Sequence, residues 1–138
     1  MQRLKLILAI LLYTFASTAQ TNLQKVHPSV WDAMQSGKAD FFIIMKDQAD
    51  ISRAASLNSK EEKGEYVFNI LRGSAEQSQA PIKSLLQAQN IDFQSFWIVN
   101  DIYTKGYLAL IQELAQREDV AQIINNPNAT NKIGRAHV

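Results

Sequence analysis

At 138 residues the chain has room for one domain, and 46% hydrophobic against 20% charged residues excludes a disordered body. Its 14 Lys and Arg nearly balance its 13 Asp and Glu, leaving neither a polybasic surface nor an acidic tract, so no nucleic-acid partner is expected. With zero cysteines there is no disulfide and no thiolate metal site, and stability rests on a small core.

Residues 1–19 read as an export signal. Arg3 and Lys5 form a positive start, Leu6–Phe15 is an apolar run, and Ser17-Thr18-Ala19 offers small residues for cleavage before Gln20. The run is short for a bilayer span, so cleavage is favoured over an uncleaved anchor. The expected location is secreted or periplasmic, with membrane contact only through the signal during export. From Gln20 to Lys132 there are 11 Lys and Arg against 13 Asp and Glu, a net charge of −2.

Residues 20–38 form an N-terminal extension with a short amphipathic helix over Val26–Gly37. Ser29 is its expected N-cap, Val30, Trp31 and Met34 its apolar face, and Gly37 suits the position after its end. The domain proper spans residues 39–126. Asp40–Lys46 is the first strand, with five consecutive apolar residues. Lacking alternation, it is either central and covered on both sides or keeps one side for a partner. In the connection that follows, Asp50 is placed to cap a single helical turn.

Ser59 and Glu62 have capping-box spacing and open a long helix with apolar positions at Val67, Ile70, Leu71, Ile82, Leu85 and Leu86. Pro81 is expected to kink or break it. Asp92–Asn100 reads as the second strand and Ile102–Thr104 as the third, after a turn at Asn100-Asp101, with Gly106 closing it. Tyr107–Gln116 returns to helical period, and Val120–Asn125 is the last strand before Pro127 ends regular structure. The order βαββαβ predicts an α+β, ferredoxin-like fold: an antiparallel four-stranded sheet with both helices on one face. Its bare face, rich in Phe and Trp, is an aggregation hazard or an interface.

In order and spacing, KADFFIIMKDQADIS, KEEKGEYVFNIL, QAPIKSLLQAQ, FWIVNDIY and LAQREDVAQIINNP resemble the N-terminal propeptide of secreted subtilisin-like serine proteases, most closely the bacillopeptidase F-like variant. The resemblance covers roughly Pro28 to Pro127. It implies a prodomain that chaperones folding of a protease domain and inhibits it until removed. It further implies that the open sheet face docks on that domain, with Phe42, Ile44, Phe96 and Ile98 on or alternating with the docking side. The parity is open, because a one-residue shift swaps the faces. Ile124, Asn125, Asn126, Pro127, Asn128 and Ala129 would enter the active-site cleft like a substrate.

The catalytic motifs of such proteases are missing, and His27 and His137 have no partner at triad spacing, so no enzymatic activity, metal or cofactor is expected of these residues. Residues 127–132 read as a linker toward an absent catalytic domain. Ile133–Val138 is encodable by ATC GGA AGA GCA CAC GTC, a common sequencing-adapter sequence, so residues 133–138 are expected to be an artefact of a frame that ran off its contig. A free-standing secreted inhibitor of subtilisin-like proteases, or an exported interaction module unrelated to proteolysis, are the alternatives. The blander features are weighed down accordingly. Asn128-Ala129-Thr130 is a chance sequon, Phe96 and Trp97 lack the basic surroundings of a base-stacking platform, and Glu61, Glu62 and Glu65 suit a solvated helix start.

Overall fold

The structure is a computed structural model and describes residues 22–126, so the expected signal, linker and adapter-derived end lie outside it. Four antiparallel strands, β1 (Ala39–Met45), β2 (Phe93–Phe96), β3 (Asp101–Gly106) and β4 (Val120–Asn125), form one sheet in the order β2-β3-β1-β4. Three α-helices accompany them: α1 (Pro28–Ala33), α2 (Lys60–Ala88) and α3 (Leu108–Gln116). The fold is α+β.

β1 resolves its own ambiguity. It lies centrally between β3 and β4, and its residues alternate buried and half-buried along the strand. Ala39, Phe41, Ile43 and Met45 point into the core together with Ile102, Val120 and Ile123. That core also takes Ile82 and Leu86 from α2, Val30 from α1, and Leu110, Ile111 and Leu114 from α3. The helices therefore share one side of the sheet, and burial of these side chains at ~25 cal/mol per Å² is the main term holding the fold. Gly106 lets α3 approach closely, since a Cβ there would sit 2.5 Å from Leu110 Cδ2.

Local chemistry sets the helix ends. For α2, Ser59 Oγ accepts from Glu62 N at 3.1 Å and the Glu62 carboxylate accepts from Ser59 N at 3.2 Å, completing the expected capping box. Its other end closes on Asn90 at φ 53, with Ile91 N donating to Leu86 O and Asn90 N to Gln87 O. That is the Schellman pattern, with an asparagine at the left-handed position. Asp50 Oδ1 accepts from Ser52 N at 2.9 Å just ahead of the 3₁₀ turn Ser52–Ser56, whose N-cap position is Ile51 rather than Asp50.

Three further expectations are corrected. Pro81 does not break α2, which runs continuously through it. Buried Ala75, Gln79, Ile82 and Leu86 anchor the helix on both sides of the proline. Pro81 itself is exposed, as is Gln77, whose carbonyl loses its helical donor, so the ring and the freed carbonyl lie on the wet side. Second, the N-cap of α1 is His27, whose Nδ1 accepts from Ser29 N at 3.3 Å, because Pro28 takes the first helical position and moves the cap two residues back. Gly37 closes this segment at φ 87, as expected.

Third, β2 stops at Phe96, and Trp97–Asn100 form a turn rather than the end of a strand. Trp97 leaves the sheet to pack edge-on against Phe68 of α2, with ring centroids 5.2 Å apart. Ile98 and Val99 are 62% and 55% exposed at the tip. A buried polar cluster holds this turn. Asn100, at φ 51, donates from Nδ2 to Asp47 O at 2.6 Å and to Ser78 Oγ at 2.9 Å, while its Oδ1 accepts from Gln79 Nε2 at 3.0 Å. Gln79 Oε1 in turn accepts from Ser95 Oγ at 2.5 Å. Hydropathy reads the run FWIVN as strand, whereas this side-chain network competes with the ladder and wins.

Candidate functional site

The sheet side opposite the helices is built from the alternate residues of every strand. Pairing places Phe42 opposite Tyr103 and Ile124, and Ile44 opposite Asp101 and Gln122. On β2, Phe96 pairs with Asp101 and Gln94 with Tyr103. The parity that the sequence left open is thereby decided: Phe42, Ile44, Phe96 and Ile124 share the uncovered face. Ile98 does not join them, because it sits in the turn beyond β2.

Phe42 centres this face. Its ring lies 5.4 Å from Tyr103 and 6.0 Å from Phe96, both tilted, a geometry that favours aromatic pairs. All three are half-buried with no helix above them. At one end of the cluster Tyr103 donates to Asp40 Oδ1 at 2.7 Å, and Lys105 Nζ lies 3.4 Å from Asp40 Oδ2. The hydrogen bond to the Asp40 carboxylate, with some burial, holds the Tyr103 phenol above its usual pKa. At the other end Asp101 is paired with Ile44 and Phe96. Burial pushes its carboxyl up to about 6.

The expected cleft-binding residues divide by position. Ile124 and Asn125 are the last two residues of β4, paired with Phe42 and Phe41, and so lie in the sheet rather than on a free segment. Asn125 consequently falls on the helix side with Phe41. Asn126 follows the strand, its N donating to Asp40 O at 3.1 Å and its side chain reaching Tyr103. Pro127, Asn128 and Ala129 lie outside the described residues.

Tyr103, Asp101 and Lys105 are face residues that sequence reasoning missed. Strand alternation alone finds them once β3 is started at Asp101 instead of Ile102. Asp101 was hidden because Asn-Asp reads as turn. Elsewhere, a polar concavity of about 340 Å³ lies between Asp47, Ser74, Gln77, Ser78, Pro81 and Asp119. It contains no nucleophile paired with a base. Among the described residues no group of three or more His, Cys, Asp or Glu is placed to hold a metal, and no helix is long and apolar enough to cross a membrane. The sequence matches no family model, no curated protein and no solved structure.

Proposed function

We propose that this domain is the propeptide type of regulator its sequence resembles, an exported inhibitor and folding chaperone of a subtilisin-like serine protease domain. We further assign its architecture to the ferredoxin-like βαββαβ arrangement. The strand order β2-β3-β1-β4, with a helix after β1 and another after β3, supports that assignment.

The observation that carries the functional reading is the uncovered sheet face with Phe42, Phe96, Tyr103, Ile44 and Ile124 at its centre. An aromatic and aliphatic surface of this kind is stabilised when a partner removes it from water. In the docked state that face packs on the protease domain. The chain leaves β4 at Asn126 beside Tyr103, and in this reading the residues that follow enter the partner's cleft. Docking and cleft occupation are then continuous, and inhibition follows from the cleft being filled.

The test is inhibition in trans. The purified protein is added to a subtilisin-type protease, and hydrolysis of a chromogenic peptide is followed at micromolar protein. Slowed hydrolysis, with faster recovery of activity when denatured protease refolds in its presence, is the expected outcome. Unchanged hydrolysis across several such proteases sinks the reading.

A further inference from the structure

A strand frays where its ladder ends, and the first residue beyond an edge strand is ordinarily loose. Asn126 is that residue for β4, and it is held twice. Its N donates to Asp40 O at 3.1 Å, which extends the ladder by one rung. Its side chain also bonds Tyr103, and among the contacts on that phenol it is the one that lowers the pKa. A bond of that sign is donated to the phenol oxygen, so the Asn126 amide is the donor and Tyr103 Oη the acceptor.

The hydroxyl passes the hold on. Tyr103 Oη donates to Asp40 Oδ1 at 2.7 Å. Lys105 Nζ lies 3.4 Å from Asp40 Oδ2, but its side chain is 57% exposed and the pair adds little. Asp40, Tyr103 and Asn126 thus close a ring across β1, β3 and the end of β4, with one link through the backbone and two through side chains. Both Asp40 oxygens are engaged. At the far end of the same face Asp101 Oδ1 is buried without a partner, so lying in this sheet does not by itself supply a carboxylate with donors. The Tyr103 ring packs against Phe42, 5.4 Å away, without help from its oxygen. What the hydroxyl adds is the link to Asn126.

We propose that Tyr103 is a positioning residue, whose hydroxyl, oriented by Asp40, fixes Asn126 and so sets the direction in which the chain leaves the open face. This rests on the propeptide reading above and adds a determinant of inhibition that lies in the domain, outside the segment that fills the cleft. A segment leaving a fixed anchor has less freedom to lose on entering a cleft, and it binds more tightly for the same contacts.

The experiment compares the intact protein with Tyr103→Phe, Asn126→Ala and the double variant. Phenylalanine keeps the ring against Phe42 and removes only the oxygen. In the free protein the ¹⁵N order parameter of Asn126 is expected to match that of β4, about 0.85, and to fall below about 0.6 in Tyr103→Phe while β4 is unchanged. Inhibition of a subtilisin-type protease is expected to weaken about tenfold in either single variant. The double variant is expected to be no weaker, because both changes remove one linkage. A hydroxyl that only stabilised the fold would lower the melting temperature without that coupling, and one that touched the partner directly would give losses that add. Additive losses, unchanged inhibition by Tyr103→Phe, or an Asn126 that stays ordered without the hydroxyl each overturns the inference. If the unaltered protein inhibits no protease while Asn126 loosens in Tyr103→Phe, the protease partner is removed and the anchoring of Asn126 by Tyr103 stands.

Discussion

Asn100 carries more structure than its exposed neighbours suggest. It adopts φ 51, a region that asparagine tolerates better than other non-glycine residues, and it exchanges hydrogen bonds with Ser78, Gln79 and the Asp47 carbonyl. Asn100→Ala leaves buried partners unpaired and places an alanine at positive φ. The expected loss is about 2–4 kcal/mol, read as a lowered midpoint in urea unfolding. An unchanged midpoint would show that water replaces the side chain at no penalty.

Asp101 makes a pH-dependent prediction of its own. Its folded-state carboxyl sits at about 6, above the ordinary 3.8. A raised value means that the stability it permits is fully present below about pH 3.8 and is lost as pH rises through 6. At pH 7.5 the charged form strains the fold, and Asp101→Asn should raise the melting temperature there while leaving it almost unchanged near pH 3.5. After allowing for solvent screening of a partly exposed carboxyl, the gain is about 1 kcal/mol. A pH-independent effect would mean that desolvation of the carboxylate is not its origin.

At the scale of elements, α2 is the longest piece of regular structure and the most legible. Ser59 and Glu62 announce its start, and Ile82 and Leu86 its inner face, because capping and helical periodicity are short-range effects, whereas Ile70, expected on that face, is 36% exposed. Its uninterrupted passage through Pro81 was not legible. Whether a proline breaks a helix depends on what clamps the two halves, and here Ala75, Gln79, Ile82 and Leu86 are buried against the rest of the fold. Pro81→Ala should therefore stabilise the protein by about 1–3 kcal/mol, since it restores one hydrogen bond and removes an intrinsic penalty of about 3 kcal/mol, offset by a freer unfolded chain. Denaturant unfolding checks this, and destabilisation would mean that the freed Gln77 carbonyl has a partner worth keeping. β2 shows the converse failure. Phe96-Trp97-Ile98-Val99 has the residue types of a strand, yet Trp97 leans on Phe68 and the turn is bound to Gln79.

At the scale of the whole molecule, among the described residues one sheet face is covered by helices and the other is not. Phe42 and Ile124 sit opposite each other on the uncovered face, away from the core. Phe42→Asp and Ile124→Asp should keep the circular dichroism of the fold, with a lowered melting temperature where the ring contacts of Phe42 to Tyr103 and Phe96 are lost, while weakening protease inhibition at least tenfold, as expected for apolar residues near the centre of an interface. Inhibition that survives both changes would move the docking site off this face. Asn125, which lies on the helix side with Phe41, is predicted to affect stability more than inhibition.

The amino-acid sequence was sufficient for the α+β class, for the number of strands, for the long helix with its capping box, and for β4 residue by residue. Each depends on period, propensity or a cap, forces that act within a few residues. Four other features depended on residues distant in the chain meeting: the parity of the open face, the end of β2 at Phe96, the tolerance of Pro81 and the orphaned Asp101 oxygen. Register fixes which side of a strand is wet, and burial decides whether a polar atom finds a partner. Both are properties of the assembled sheet and its helices.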